Sequence, residues 1–148
     1  MKNALTTYTK VDSLKVLPSY AIARVGGGGG KTPKQHAVFE AYGFNSGADG
    51  KIGTEDDIPL GVLNSTWEIE PYDDAAKADK DIEFVGSINN SNGRFVPSFA
   101  GLNPKRKFST NNAGNLKVIA NYKDGKKSLK GESHLIVTIQ RWVNAPIN

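Results

Sequence analysis

The chain has 148 residues, which is long enough for one domain with its own core, and its 38% hydrophobic content and 16 glycines favour β-structure with many turns. The absence of cysteine excludes disulfides, thiolate metal sites, Cys-x-x-Cys-His haem attachment and a cysteine nucleophile within this sequence. The net charge of +4 is unevenly distributed, because residues 40–83 carry twelve acids and three lysines, while the other residues carry sixteen basic groups and three acids.

The sequence contains no segment typical of membrane insertion. No apolar run approaches the roughly 18 residues that a membrane-spanning helix needs. Residues 1–10 contain lysines but no apolar stretch of the kind found in signal peptides. We therefore expect a chain without membrane insertion, which either stays in the cytosol or is a mature or excised piece of a larger protein.

The N-terminal third is predicted to contain short strands around a glycine loop. The predicted strands are residues 11–18 (an edge strand that ends at Pro18), 20–25, and 36–42 with Ala37, Phe39 and Ala41 on one face. Gly26 to Gly30 precede Lys31 and Thr32, which matches the end of a phosphate-binding loop. Val25 stands where that motif needs a glycine, and Pro33 opposes a helix after Thr32, so a tightly turned or flexible loop is the better interpretation.

Residues 45–57 form the most distinctive stretch of the chain, with three glycines and five carboxylate or carboxamide side chains. On a calcium-loop template, Asn45, Gly47, Asp49 and Asp56 take positions 1, 3, 5 and 12, and Gly50 takes the invariant glycine position. The adjacent Asp56 and Asp57 repel each other unless something neutralises them. The sequence thus predicts a calcium site made by Asn45, Asp49, Asp56 and Asp57. The alternative is a metal-free turn in which these side chains cap backbone amides.

The middle of the chain is predicted to hold two strands, a short helix and another strand. These are residues 58–63, residues 65–70 with Trp67 as a core anchor, a helix of one or two turns within 72–81, and a strand over 82–88. Asp73 with Asp74, or Asp79 with Asp81, could supply the carboxylate pair of a glycoside hydrolase. A solvated acidic helix end explains them as well, and we favour that interpretation.

The C-terminal part is predicted to form hairpins. Residues 89–93 form a turn, residues 94–97 a short strand, and residues 115–122 pair with residues 133–142 through a connection that begins with Lys123-Asp124-Gly125-Lys126, whose Asp-Gly is a turn signal. Strands recur roughly every ten residues, which is typical of an all-β sandwich. The basic groups of residues 105–107 and 123–130 are expected at solvated strand ends and a turn, so no nucleic-acid partner is predicted.

No residue type other than the carboxylates points to catalysis. His36 and His134 lie far apart in predicted strands, where packing explains them better than chemistry. No Gly-x-Ser-x-Gly elbow places a serine nucleophile. Trp142 is expected in the core, and its exposure would instead indicate a partner-facing edge.

Several motifs together are similar to one known family. They are Asp49-Gly50-Lys51 with Gly53-Thr54, Asp56-Asp57-Ile58 and Leu60-Gly61; Trp67; Phe84-Val85-Gly86; Gly101, Asn103-Pro104 and Arg106; residues 111–116; and residues 135–142. Residues 23–27 fit the entry to the same domain. The set resembles the C-terminal β-domain, of the domain IV type, of the α subunit of quinohemoprotein amine dehydrogenase, and it covers roughly residues 14–147.

The resemblance implies an immunoglobulin-like sandwich of the E-set type with roughly seven to nine strands and one long Gly/Asp-rich loop. We expect an irregular arm over residues 1–13 and the sandwich over 14–148. The resemblance further implies a periplasmic, three-subunit enzyme that oxidises primary amines to aldehydes. Two c-type haems lie in its cytochrome domain, and a cysteine–tryptophan quinone lies in the γ subunit.

This chain lacks the cysteines that those groups need, so no catalytic residue and no redox cofactor is assigned to it. The expected role is a non-catalytic structural and subunit-contact domain, periplasmic or extracellular and monomeric when isolated. Its partners are the other domains and subunits of the dehydrogenase. The alternatives are a stand-alone extracellular binding or adhesion module, rigidified by calcium, and an independent hydrolase.

Overall fold

The computed structural model describes residues 9–27, 32–107 and 110–139, and in them the chain forms ten strands and two short helices. The strands are β1 (Ser13–Leu17), β2 (Tyr20–Arg24), β3 (Ala37–Val38), β4 (Glu40–Asn45), β5 (Ile58–Val62), β6 (Thr66–Pro71), β7 (Gly86–Ile88), β8 (Arg94–Pro97), β9 (Gly114–Asp124) and β10 (Lys127–Thr138). The helices are α1 (Asp74–Ala78) and α2 (Asp81–Phe84). The predicted all-β sandwich is confirmed, with a strand count slightly above the expected one.

The largest sheet has the order β2-β10-β9-β6. Its centre is the β9–β10 hairpin, in which Leu116 lies opposite Leu135. β2 runs parallel to β10 and pairs Ile22 with Ile136, so the first part of the chain lies directly beside the last described strand. Two parallel strands cannot be joined by a tight turn. Here the chain between β2 and β10 contains all the strands from β3 to β9 and both helices.

Two smaller sheets complete the fold, with the orders β1-β4-β5 and β3-β8-β7. The predicted strand over residues 36–42 is divided at Phe39, because β3 pairs with β8 while β4 pairs with β1 and β5. Ala37, Phe39 and Ala41 all remain buried, which confirms the predicted inward face. One stretch of chain therefore contributes to two sheets while keeping a single apolar face toward the core.

One continuous core connects the three sheets. Its most deeply buried large side chains are Phe39, Phe95, Leu116, Leu135, Val16, Val25, Val85, Val118 and Val137. Trp67 is buried beside them, as predicted, with its ring centroid 6.4 Å from that of Phe39. Since every sheet contributes to this cluster, the fold behaves as a single packed unit rather than as separate hairpins.

Two predicted elements have different bounds. The strand predicted over residues 82–88 is wrong in its first half, where α2 forms instead, and only β7 is extended. Ile82 and Val85 both pack on the core, and a three-residue spacing between inward side chains is helical. The predicted ten-residue connection of the C-terminal hairpin is also wrong, because β9 and β10 run on to a tight turn at Gly125 and Lys126. The predicted strand residues 140–142 lie outside the described residues.

The boundary predicted after residue 13 stays a prediction, since most of the arm lies outside the described residues. The described residues next to it are packed: Val11 is buried, and the Asp12 amide donates to the Phe44 carbonyl at 2.8 Å. Among the described helices, none is long and apolar enough to cross a membrane.

Candidate functional site

The loop over residues 46–57 is held together by its own carboxylates. Asp49 Oδ1 accepts from the Lys51 amide at 2.8 Å, Asp56 Oδ2 from the Asp49 amide at 2.8 Å, and Asp57 Oδ2 from the Gly53 amide at 2.7 Å. Asp56 also accepts from the Thr54 hydroxyl at 2.6 Å, and this bond is the first cause that holds the pKa of Asp56 below its usual value. Backbone amides therefore supply much of the compensation that adjacent aspartates require.

Asn45 and Gly47 fix the start of this loop. Asn45 is buried, donates through Nδ2 to the Lys10 carbonyl at 2.8 Å and accepts from the Gly47 amide at 2.8 Å. Gly47 has a φ of +73°, and any β-carbon there would collide with the carbonyl oxygen of Asp56. Only glycine fits that position, so the first glycine of the motif is required by the close approach of two backbone segments.

Asp12 anchors the loop from outside. Its Oδ2 accepts from the amide of Ser46 at 2.9 Å and from its hydroxyl at 2.8 Å, and its Oδ1 lies 3.6 Å from Lys127 Nζ. The bonds from Ser46 are the main cause that lowers the pKa of Asp12. The loop is thus attached to the N-terminal segment and, through Lys127, to β10.

The residues predicted to bind calcium are the same ones that form these hydrogen bonds. Asn45, Asp49, Asp56 and Asp57 do lie in one loop, and their oxygens suit a hard cation. Each of them already accepts a hydrogen bond from within the loop. Within the described ranges, no group of three or more His, Cys, Asp or Glu side chains is arranged to hold a metal ion. The calcium site stays a prediction.

A second polar centre is formed by two buried asparagines, Asn103 and Asn112, in the segment before β9. Asn103 is fully buried, donating to the Asp79 carbonyl at 2.9 Å and accepting from the Lys105 amide at 3.0 Å. Asn112 is also buried and donates to the carbonyls of Phe84 (3.2 Å) and Phe99 (2.9 Å). Two asparagines therefore satisfy backbone groups from both helices and from the loop itself, as buried polar groups require.

Asp81 and Arg106 extend this centre to β9. Asp81 Oδ2 accepts from the Asn115 amide at 3.0 Å, while its Oδ1 has no hydrogen-bond donor among the described residues. Arg106 Nη1 lies 3.8 Å from that oxygen and donates to the Ala113 carbonyl. Burial is the largest influence on this carboxyl and raises the pKa of Asp81 above its ordinary value.

These positions correct one interpretation of the acidic helix end. Asp81 is not solvated, since it is only 3% exposed. Asp73 caps α1 by accepting from the Ala76 amide at 2.9 Å, and Asp74 lies exposed in the first turn of that helix. The sequence did not reveal the burial of Asp81 because its neighbours in space, Asn115 and Arg106, come much later in the chain.

The two histidines occupy different surroundings. His36 is exposed, with Nδ1 3.3 Å from Arg94 Nη1. His134 stacks on Tyr72, with ring centroids 3.8 Å apart, lies 5.4 Å from the Tyr20 ring, and its Nε2 contacts Asn115 Oδ1. Strand pairing explains the grouping, since Tyr20 lies opposite His134 in the parallel β2–β10 pair.

The predictions for the Gly26–Gly30 loop and for Trp142 concern residues that the structure describes only in part. Gly27 and Thr32 exchange two backbone hydrogen bonds of 3.0 and 3.1 Å, which draws the two ends of the glycine loop together. Residues 28–31 and Trp142 lie outside the described part of the chain.

Sequence reasoning missed two apolar side chains that are largely exposed. Phe99 is 61% exposed and Leu102 is 73% exposed, and Lys34 Nζ lies 4.1 Å from the centroid of the Phe99 ring. Their neighbours in sequence give no signal of this exposure.

Comparison with known proteins gives one family. The family model described as quinohemoprotein amine dehydrogenase, alpha subunit domain IV, matches residues 14–147. No curated protein matches the chain. The matched range includes the acidic loop, the buried asparagines and the exposed apolar pair.

Proposed function

We propose a non-catalytic role for this chain, which belongs to the family of domain IV of the quinohemoprotein amine dehydrogenase α subunit. The proposed role is that of a structural and subunit-contact domain. In this proposal, the oxidation of primary amines to aldehydes is carried out by other domains and subunits, which hold the haems and the quinone. The proposed location is the periplasm, where such an enzyme would work.

This role is supported by the hydrogen bonds of the polar motif residues, which go to backbone groups of the domain itself. Asn103 and Asn112 are buried and bonded to backbone groups, and Arg106 donates to the Ala113 carbonyl. Asp49, Asp56 and Asp57 bind amides of their own loop. Side chains that are used in this way stabilise loops and surfaces, and a catalytic group must instead reach a reacting atom in a suitable geometry.

The proposal predicts a clear division between turnover and assembly. The purified chain should show no haem absorbance and should not reduce a dye acceptor in the presence of primary amines. When it is mixed with the rest of a quinohemoprotein amine dehydrogenase that lacks this domain, the two should elute together in size-exclusion chromatography. Amine oxidation by the chain alone would overturn the non-catalytic role, and separate elution would overturn the subunit-contact role.

Calcium at the acidic loop has its own test. Binding would have to compete with the amide bonds of Asp49, Asp56 and Asp57, and the ion would replace them as the partner of these carboxylates. If calcium binds the folded chain, millimolar calcium should raise the melting temperature and a chelator should lower it. An unchanged melting temperature in both experiments would remove calcium from the account and leave the metal-free turn.

A further inference from the structure

An open cleft of about 470 Å³ lies beside the start of β6 and the end of β9. Its described lining consists of asparagine, serine, threonine and lysine side chains, so every lining side chain carries a polar group and none is acidic. The volume falls within the range of small-molecule sites, about 300–1,000 Å³, but such sites are usually lined mainly by apolar side chains. The cleft therefore suits a ligand whose own surface is covered with polar groups.

Strand pairing forms one wall of the cleft. Thr66 lies opposite Asn121 in the β6–β9 pair, and Lys123 follows Asn121 by two residues on the same strand. Opposed residues of an antiparallel pair, and residues two apart on one strand, point to the same face of a sheet. The hydroxyl, the carboxamide and the ammonium group of these three residues therefore project from one face.

The turn between β7 and β8 forms the other wall. The Trp67 amide donates to the Asn90 carbonyl at 2.9 Å, and Asn90 Nδ2 donates to the Trp67 carbonyl at 3.3 Å. Asn121 is also held in place, since its Nδ2 donates to Glu68 Oε2 at 2.8 Å. The two carboxamides are thus fixed before a ligand arrives, which lowers the entropic cost of binding.

Several polar groups of the cleft have hydrogen-bonding capacity left. In the described part of the chain, the side chains of Asn64, Thr66 and Lys123 make neither a hydrogen bond nor an ion pair. Asn90 and Asn121 use their side-chain nitrogens, which leaves their carboxamide oxygens as acceptors. The cleft therefore offers both donors and acceptors to a ligand.

We propose that this cleft binds a saccharide unit that carries a carboxylate, as uronic acids do. Sugar hydroxyls donate and accept hydrogen bonds, which matches a lining of carboxamides and hydroxyls that do the same. Lys123 is the one charged residue of the described lining, and its ammonium group is the partner for the carboxylate. This inference goes beyond the proposed subunit-contact function, and neither depends on the other.

Two other classes of ligand fit the cleft less well. A phosphate group is usually held by several cations or by a row of backbone amides, whereas the described lining offers one lysine. A peptide could add a strand along the free edge of β6, but the Trp67 amide and carbonyl are both bonded to Asn90 there. Both features favour a hydroxyl-rich ligand.

The test titrates the isotope-labelled full chain with sodium glucuronate and sodium galacturonate and follows the amide shifts by NMR. Glucose and galactose are the matching neutral sugars, and sodium acetate shows whether a carboxylate alone is sufficient. Lys123→Ala removes the ammonium group, and Thr66→Val removes the hydroxyl while keeping a β-branched side chain. Lys105→Ala is the matched control, because it removes an exposed lysine that does not line the cleft. Melting curves verify that each variant folds.

We expect saturable shifts of the Asn64, Thr66 and Asn121 amides with both uronates, and weaker binding of the neutral sugars. Lys123→Ala should weaken uronate binding about tenfold, because a charge-assisted hydrogen bond is lost, and Thr66→Val about threefold, with no change for Lys105→Ala. No saturable shift with either uronate at millimolar concentration would overturn the site. Acetate or neutral sugars binding as well as the uronates, or unchanged uronate binding by Lys123→Ala, would overturn the carboxylate-bearing sugar. The subunit-contact function would stand in each case, since its own test is elution with the dehydrogenase.

Discussion

The buried carboxylate of Asp81 binds a backbone amide of a neighbouring strand. Its Oδ2 accepts from the Asn115 amide at the start of β9, and among the described residues its Oδ1 has no hydrogen-bond donor, with Arg106 Nη1 3.8 Å away. A charge in this position is poorly solvated, so burial raises the pKa of Asp81. The folded state therefore favours the protonated carboxyl more strongly than the unfolded state does.

This difference predicts a pH-dependent effect of Asp81→Asn. The favourable contribution of Asp81 is fully present below its ordinary pKa of 3.8 and is lost as pH rises through the higher pKa of the folded state. Asparagine keeps an oxygen for the Asn115 amide but carries no charge. We expect the free energy of unfolding of Asp81→Asn to improve relative to wild type between about pH 3 and about pH 7, measured by urea denaturation.

Asp81→Ala is the matched control, because it removes the acceptor together with the charge. Relative to Asp81→Asn, the unpaired buried amide at Asn115 should lower the free energy of unfolding of Asp81→Ala by about 1–3 kcal/mol at every pH, because neither variant has a titrating group at residue 81. If Asp81→Asn and wild type show the same pH profile, the carboxyl is not disfavoured by burial and the Arg106 charge compensates it fully.

The environment of Asp81 could not be predicted from the sequence. Residues 40–83 contain twelve acids, and acidic side chains are normally exposed, so nothing in the sequence distinguishes Asp81 from the others. Its burial depends on Asn115 and Arg106, and only the tertiary fold brings those residues together. By contrast, the local roles of Asp49, Asp56 and Asp57 follow from their spacing, since each binds an amide within seven residues.

The turn between β7 and β8, which the Asn-Gly sequence predicts, also packs against the core. Gly93 has a φ of +70°, which the Asn-Gly sequence predicts. A β-carbon there would lie 2.7 Å from the Phe39 carbonyl oxygen and 2.8 Å from the Trp67 ring. The turn packs directly under the core tryptophan, and the sequence pattern alone does not reveal this contact.

We therefore expect Gly93→Ala to be much more destabilising than Gly50→Ala. Both positions have positive φ, +70° and +67°, so alanine costs about 1 kcal/mol of backbone strain at either. Gly50 has open space around it, whereas Gly93 adds a steric overlap of about 1–3 kcal/mol. Urea denaturation followed by tryptophan fluorescence measures both losses, and equal losses would mean that the turn moves away from Trp67 without cost.

The elements that the sequence predicted well are those with a period of two. Residues 65–70 alternate as expected, with Trp67 buried and Glu68 and Glu70 exposed in β6. Residues 82–85 were assigned wrongly because a short apolar run fits a strand or a helical turn equally well. The full length of the β9–β10 hairpin is not evident from the sequence because residues 123–130 are mostly polar, with Leu129 as their one apolar side chain against the core, and only pairing between the strands shows them to be extended.

For the whole molecule, the division between arm and domain depends on three residues of the N-terminal segment. The Lys10 carbonyl accepts from Asn45, the Val11 carbonyl accepts from Lys127 Nζ at 2.9 Å, and Asp12 binds Ser46. These contacts connect the segment to the acidic loop and to β10, which are far apart in sequence. Residues 10–12 therefore contact the packed domain, and the family match begins at residue 14.

Two truncations test this connection. A chain that begins at Thr9 keeps the contacts of Val11 and Asp12, and one that begins at Leu14 loses them. Burial of Val11 contributes about 1.5–3 kcal/mol, and each hydrogen bond contributes about 1 kcal/mol, so the shorter chain should lose at least about 3 kcal/mol of unfolding free energy relative to the longer one. Val11→Ala and Asp12→Ala in the full chain separate the two contributions, since alanine at residue 12 cannot accept from Ser46. Equal denaturation midpoints for both truncations would instead place the domain boundary after residue 13, and the acidic loop would then be stable without its N-terminal anchor.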